Sequence, residues 1–132
     1  MAKIMIADDM KTVLHNMTFV LENYDHTVVA KASNCAIAYN EYKSTKPDVL
    51  LLDILGMDAF SEELNMQLDS FELIKIILKD DPNANIIVLT ASPREDFIKK
   101  ALVLGAKGFL VKGVSNEKLI MTINNILTKG KQ

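Results

Sequence analysis

Three aspartates, a threonine and a lysine stand where short apolar runs stop. Asp8-Asp9 follow "IMIA", Asp53 closes "VLLLD", Thr90 closes "NIIVLT", and Lys112 closes "GFLVK". Side chains of these types can hold a cation and an anion next to each other. Two carboxylates about 4 Å apart repel by roughly 1 kcal/mol in bulk water and about 4 kcal/mol at an effective dielectric of 20. A cluster of three therefore demands a counter-charge. A hard divalent ion such as Mg2+ supplies one, since it uses one or two carboxylates and keeps several waters. An ammonium on a flexible stem reaches an anionic oxygen as a point charge. Each residue also has a plainer reading. Asp8 and Asp9 would cap a helix, Lys112 would be a solvated surface lysine, and Thr90 would be a strand residue bonded to its own backbone. Capping does not explain Asp53. A carboxylate at the end of a strand apolar on both faces is costly without a partner.

The elements that must position these residues alternate along the chain. Short aliphatic runs ("IMIA", "TVVAKA", "VLLLDI", "NIIVLT", "GFLVK") are separated by segments with helical spacing. Val13, Met17, Val20 and Leu21 form one stripe, and Ala36, Ile37, Ala38 and Tyr42 a second helix closed by Lys46-Pro47. Phe71, Leu73, Ile74, Ile77 and Leu78 form a third. Ser92-Pro93 opens a fourth that Gly105 stops, and Ser115 caps a fifth, with Val114 and Leu119 as its hydrophobic staple. Five strands alternating with five helices predict an α/β fold, a single doubly wound five-stranded parallel sheet with right-handed crossovers. In such sheets ligands bind at the carboxyl ends of the strands, where the five polar residues lie.

Composition bounds the function. A chain of 132 residues fits one domain. A formal net charge of −2 offers no basic surface for direct nucleic-acid binding. The single Cys35 lacks a partner for an internal disulfide and sits in no metal-ligand pattern, so it reads as a small buried apolar residue. No apolar run is long enough for a membrane span or signal peptide, and a soluble, cytoplasmic protein is expected.

The set Asp8-Asp9, Asp53, Thr90, Phe109 and Lys112, with "GAKGFLVK" joining the last two, resembles the receiver domain of two-component response regulators over essentially the whole chain, residues 1–132. The resemblance implies strand order 2-1-3-4-5. It implies that Asp53 is the phosphoacceptor, taking a phosphoryl group from a histidine kinase or phosphotransfer domain. It implies a metal site for Mg2+, with Mn2+ as a substitute, built from Asp9, Asp53 and the Leu55 backbone carbonyl, with Asp8 acting through water. Lys112 would neutralise phosphoryl oxygens, Ala91 would leave room for the group, and Thr90 and Phe109 would act as a coupled switch. The switch would reshape a surface on the fourth helix, fifth strand and fifth helix that an output protein reads. No enzyme beyond slow autodephosphorylation is implied.

Two features depart from the family pattern. Receivers usually carry Met-Pro shortly after the acceptor, then Asp-Gly and the third helix. Here "ILGMDAFSEELNMQLDSFELI" follows, so residues 56–69 are expected to be an insertion beside the site, without proline. Phe60, Leu64 and Leu68 at i, i+4 and i+8 predict an added helical turn or two. Gly113 stands where receivers commonly have a cis proline. A non-proline cis bond costs about 2.5–4 kcal/mol, so a trans bond is expected, with glycine making the turn.

Other functions remain open on these residues. The chain could be the receiver half of a DNA-binding response regulator, or a pseudo-receiver that works without phosphorylation. An aspartyl-phosphate phosphatase would need a second aspartate two residues after the nucleophile, where this chain has Leu55.

Overall fold

The computed structural model describes residues 1–129. Along the chain run β1 (Lys3–Ala7), α1 (Lys11–Asn23), β2 (Thr27–Ala32), α2 (Cys35–Thr45) and β3 (Val49–Asp53). A pair of short strands follows, β4 (Ala59–Ser61) and β5 (Met66–Leu68), and then α3 (Ser70–Asp80). The chain continues through β6 (Ile86–Thr90), α4 (Glu95–Leu104), β7 (Gly108–Val111) and α5 (Asn116–Lys129).

Five strands pair in parallel in the order β2-β1-β3-β6-β7, the doubly wound order expected from the resemblance. Every residue of the central strands β3 and β6 is buried. Their side chains alternate between two cores. On one face Met5, Ala7, Leu50, Leu52, Ile86 and Val88 pack under α2, α3 and α4. On the other, Ile4, Ile6, Leu51, Ile87, Leu89 and Leu110 meet Leu21 of α1 and Leu119, Ile120 and Ile123 of α5. Burying such a side chain stabilises by about 1.5–3 kcal/mol, and this is why a strand apolar on both faces takes a central place.

Helix ends follow local chemistry. Asn34 and Asp69 cap α2 and α3 by accepting the N–H groups of Ile37 and Glu72. The Ser115 hydroxyl accepts from Lys118 at the start of α5, as expected. Gly105 ends α4. Helix α4 begins at Glu95 rather than at Ser92-Pro93, with Arg94 in the cap position. Neither Asp8 nor Asp9 caps α1, whose cap position is Met10. Cys35 is fully buried.

The segment after β3 contradicts one expectation. Residues 56–69 form no helical turn; they form an antiparallel hairpin pairing Ala59 with Leu68, Phe60 with Gln67 and Ser61 with Met66. The apolar residues at helical spacing turn out not to share a face. Phe60 is exposed while Leu68 is fully buried, and Ser61 is buried beside them. Period-two burial, with Asn65 at φ 54° closing the turn, decided the local structure. Among the described residues no peptide bond is cis, so Lys112-Gly113 is trans, and Gly113 turns the chain at φ 93°.

Candidate functional site

The carboxyl ends of β1, β3 and β6, with the residue following β7, meet at one rim of the sheet. Parallel pairing sets this: Ala7 is opposite Leu52 and Asp53 is opposite Leu89, so the residues after each strand end emerge together. Oxygen atoms of Asp8, Asp9 and Asp53 all lie within 4.8 Å of one another. The Lys112 ammonium stands 2.8 Å from Asp8 Oδ2 and 3.1 Å from Asp53 Oδ2. The Lys112 backbone is set at the rim because its N–H donates to the Thr90 carbonyl, which extends the β6–β7 ladder by one residue.

The site is short of positive charge. Asp8 is fully buried. Its Oδ1 accepts the Met10 N–H at 2.9 Å. Its Oδ2 has the Lys112 ammonium as its partner. Asp53 is 5% exposed. Burial, and then the neighbouring Asp8 charge, push its carboxyl up to about 6, against the pull of Lys112 and the Leu55 N–H. Burial lowers the Lys112 ammonium, but its bonds to Asp8 and Asp53 outweigh that and hold it above its ordinary value. Three clustered carboxylates with one ammonium among them, paired to Asp8 and Asp53 but not to Asp9, are a donor set that fits a hard divalent cation.

A small cavity of about 150 Å³ opens over Asp53, walled by Leu55, Thr90, Ala91, Arg94 and Lys112. The Thr90 hydroxyl does not turn toward the carboxylate. It donates to the Ser92 carbonyl and accepts the Ser92 N–H, closing a local turn, the plainer of the two readings. Phe109 lies away from the cluster. Its ring is 42% exposed and borders a groove with Ile98, Lys99 and Leu102 of α4. Sequence reasoning missed two contributors. The buried Ser70 hydroxyl donates to the Asp53 carbonyl at 2.5 Å, pinning the end of β3 to the start of α3. Gly56 brings its backbone against the Asp9 carboxylate. The position of Ser70, directly after the capping Asp69, was the available signal for the first.

The family model of the response regulator receiver domain matches residues 4–124. The chain belongs to the response regulator receiver family. It is 29% identical to the chemotaxis protein CheY of Thermotoga maritima, with 94% of this chain and 96% of that protein covered. It is 34% identical to the oxygen regulatory protein NreC of Staphylococcus aureus, covering 94% of this chain but 54% of NreC. Among solved structures, a response regulator receiver domain protein from Clostridium thermocellum superimposes with a TM-score of 0.84 at 28% identity, over 99% of this chain and 98% of that one. Receivers are signalling domains of two-component systems rather than ordinary enzymes, and they generally bind Mg2+ at an acidic pocket. Among the described residues no helix is long and apolar enough to cross a membrane.

Proposed function

We propose that this receiver accepts a phosphoryl group on Asp53 from a phosphohistidine, on a histidine kinase or phosphotransfer domain, and signals through a partner-binding surface. The observation that carries the reading is the Lys112 ammonium lying between two buried strand-end carboxylates, in a cluster that a third, Asp9, completes. An Asp53 oxygen attacks phosphorus, an O–P bond forms, and the N–P bond breaks with its electron pair returning to the imidazole. Such transfers depend on positioning and on stabilising the oxygens where charge gathers, with little covalent work for the protein. Lys112 is already within hydrogen-bond distance of the acceptor and serves the incoming oxygens as a point charge. Ala91, small beside the cavity, leaves space for the group.

Asp9, Asp53 and the Leu55 carbonyl would hold Mg2+, or Mn2+ in its place, with Asp8 acting through water. The ion supplies charge neutralisation for the phosphoryl oxygens. The new group brings added negative charge and acceptor oxygens. Thr90 would then leave its Ser92 turn to bond it, and Phe109 would swing inward, altering the face made by α4, β7 and α5. Residues 56–69, the hairpin, are read as an insertion in an otherwise ordinary receiver spanning 1–132. A second reading is favoured by the match to about half of NreC: the same receiver would serve as the input half of a longer regulator.

Incubation with a small phosphodonor and Mg2+, followed by intact-mass measurement, tests the reading. Wild type should gain one phosphoryl mass and Asp53→Asn none. Equal labelling of both, or of neither, would remove Asp53 as acceptor.

A further inference from the structure

The strand-to-hairpin passage is fastened at both ends. Ile54 donates its N–H to the Leu89 carbonyl at 3.0 Å, and the Met57 carbonyl accepts the Cys35 N–H at 2.8 Å. The Met57 side chain is fully buried in the core. Beyond it the hairpin is held by buried Ser61 and Leu68 and by the Lys43–Glu63 ion pair to α2. Only Leu55 and Gly56 lie between the fastenings, and Gly56 adopts φ 79°.

At Gly56 that backbone runs close to the Asp9 carboxylate. A Cβ placed on Gly56 would stand 2.9 Å from Asp9 Oδ2 and 3.3 Å from its Cγ. A Cβ essentially never stands closer than 3.0 Å to an unbonded atom, so the 2.9 Å contact means something must yield. The fastened backbone cannot retreat, because Met57 would have to leave the core. The Asp9 carboxylate can, because it is exposed and no side-chain hydrogen bond holds it among the described residues. We infer that Gly56 is a positioning residue for the cation site: its missing side chain lets Asp9 stay within reach of Asp8 and Asp53, and the hairpin, anchored through buried Met57, Ser61 and Leu68, holds Gly56 in place. The inference rests on the metal-dependent reading above. It gives residues 56–69 a definite task, which is to splint the loop that borders the metal.

A second glycine separates collision from backbone strain. Gly113 has φ 93°, yet an added Cβ would meet nothing within 4 Å. Alanine at either position suffers left-handed strain, but only at Gly56 does it strike a carboxylate. The test uses the full chain titrated with Mg2+ alone, followed by calorimetry and by amide shifts near Asp53. Gly56→Ala should lose about tenfold or more in Mg2+ affinity, the range for removing a residue that orients a ligand. Gly113→Ala, which carries comparable backbone strain but strikes no ligand, should lose clearly less affinity than Gly56→Ala. Labelling of Gly56→Ala by a small phosphodonor should recover at high Mg2+, because Asp53 and Lys112 are untouched. Equal affinities for Gly56→Ala and wild type, or equal losses in the two glycine variants, overturn the inference. If Gly56→Ala fails to fold, Asp9→Ala in the same chain removes the obstructing carboxylate and should restore folding; no restoration also overturns it. Wild type that bound no Mg2+ would defeat the functional reading instead, while melting of the double variant against Gly56→Ala would still report the contact.

Discussion

Replacing Asp53 by asparagine should make the protein more stable, by an amount that depends on pH. The carboxyl rises from its ordinary 3.8 to about 6 because it is buried beside Asp8. Between those two pH values the folded chain holds a proton that the unfolded chain releases, so stability falls as pH rises through that window. Above the window the whole penalty is present; below it there is none. Two pH units at about 1.4 kcal/mol each give roughly 3 kcal/mol at pH 7.5. At pH 4.5 the remaining penalty is about 1 kcal/mol by the same linkage. At about 2 cal/mol/K per residue, a chain of this length melts roughly 4 °C higher for each kcal/mol. In metal-free buffer Asp53→Asn should therefore melt about 10 °C above wild type at pH 7.5 and about 4 °C above it at pH 4.5. Acidic groups distant from the site titrate alike in both proteins and cancel in the difference. Differential scanning calorimetry at several pH values makes the measurement. Adding Mg2+ should raise the wild type more than the variant and narrow the gap, since the ion relieves the same repulsion. A gap independent of pH, or a less stable variant at pH 7.5, would refute the argument that Asp53 is held under charge stress.

Other perturbations separate the remaining claims. Lys112→Met leaves two buried carboxylates without their cation and should destabilise by about 3–5 kcal/mol; in an Asp53→Asn background the loss should be clearly smaller, and additive denaturation free energies would deny the coupling. Leu68→Ala empties a fully buried site at the end of the hairpin and should cost about 2–5 kcal/mol in urea unfolding, whereas an effect near zero would mean the hairpin is only an exposed loop. Burial pushes the Cys35 thiol up to about 12, so a thiol reagent at pH 8 should label it no faster than the protein unfolds; rapid labelling of native protein would contradict its packing.

Much of the fold was legible because parallel sheets have strong local signatures. An uninterrupted apolar strand such as Val49–Leu52 has both faces covered, and alternation with helical stripes leaves few topologies. The polar residues at the strand ends were legible for the same reason, and Asp8, Asp9, Asp53 and Lys112 do lie together. The hairpin was not legible. Phe60, Leu64 and Leu68 satisfy helical spacing as well as any true helix, and burial of Ser61 and Leu68 on one side of a strand pair is a tertiary outcome. Thr90 illustrates a second limit. Its type allowed both an anion contact and a local turn, and only the path of the following residues selected Ser92.

What the sequence determined by itself is the kind of sheet and the kinds of group delivered to its rim, because apolar periodicity and residue type are local properties. The tertiary structure alone decided distances and charge balance: that Lys112 lies between Asp8 and Asp53, that burial raises the Asp53 carboxyl, and that a side chain at Gly56 would collide with Asp9. These depend on chain segments far apart in sequence being packed at fixed separation. Electrostatic and steric energies change steeply over an ångström, and no pattern along the chain records them.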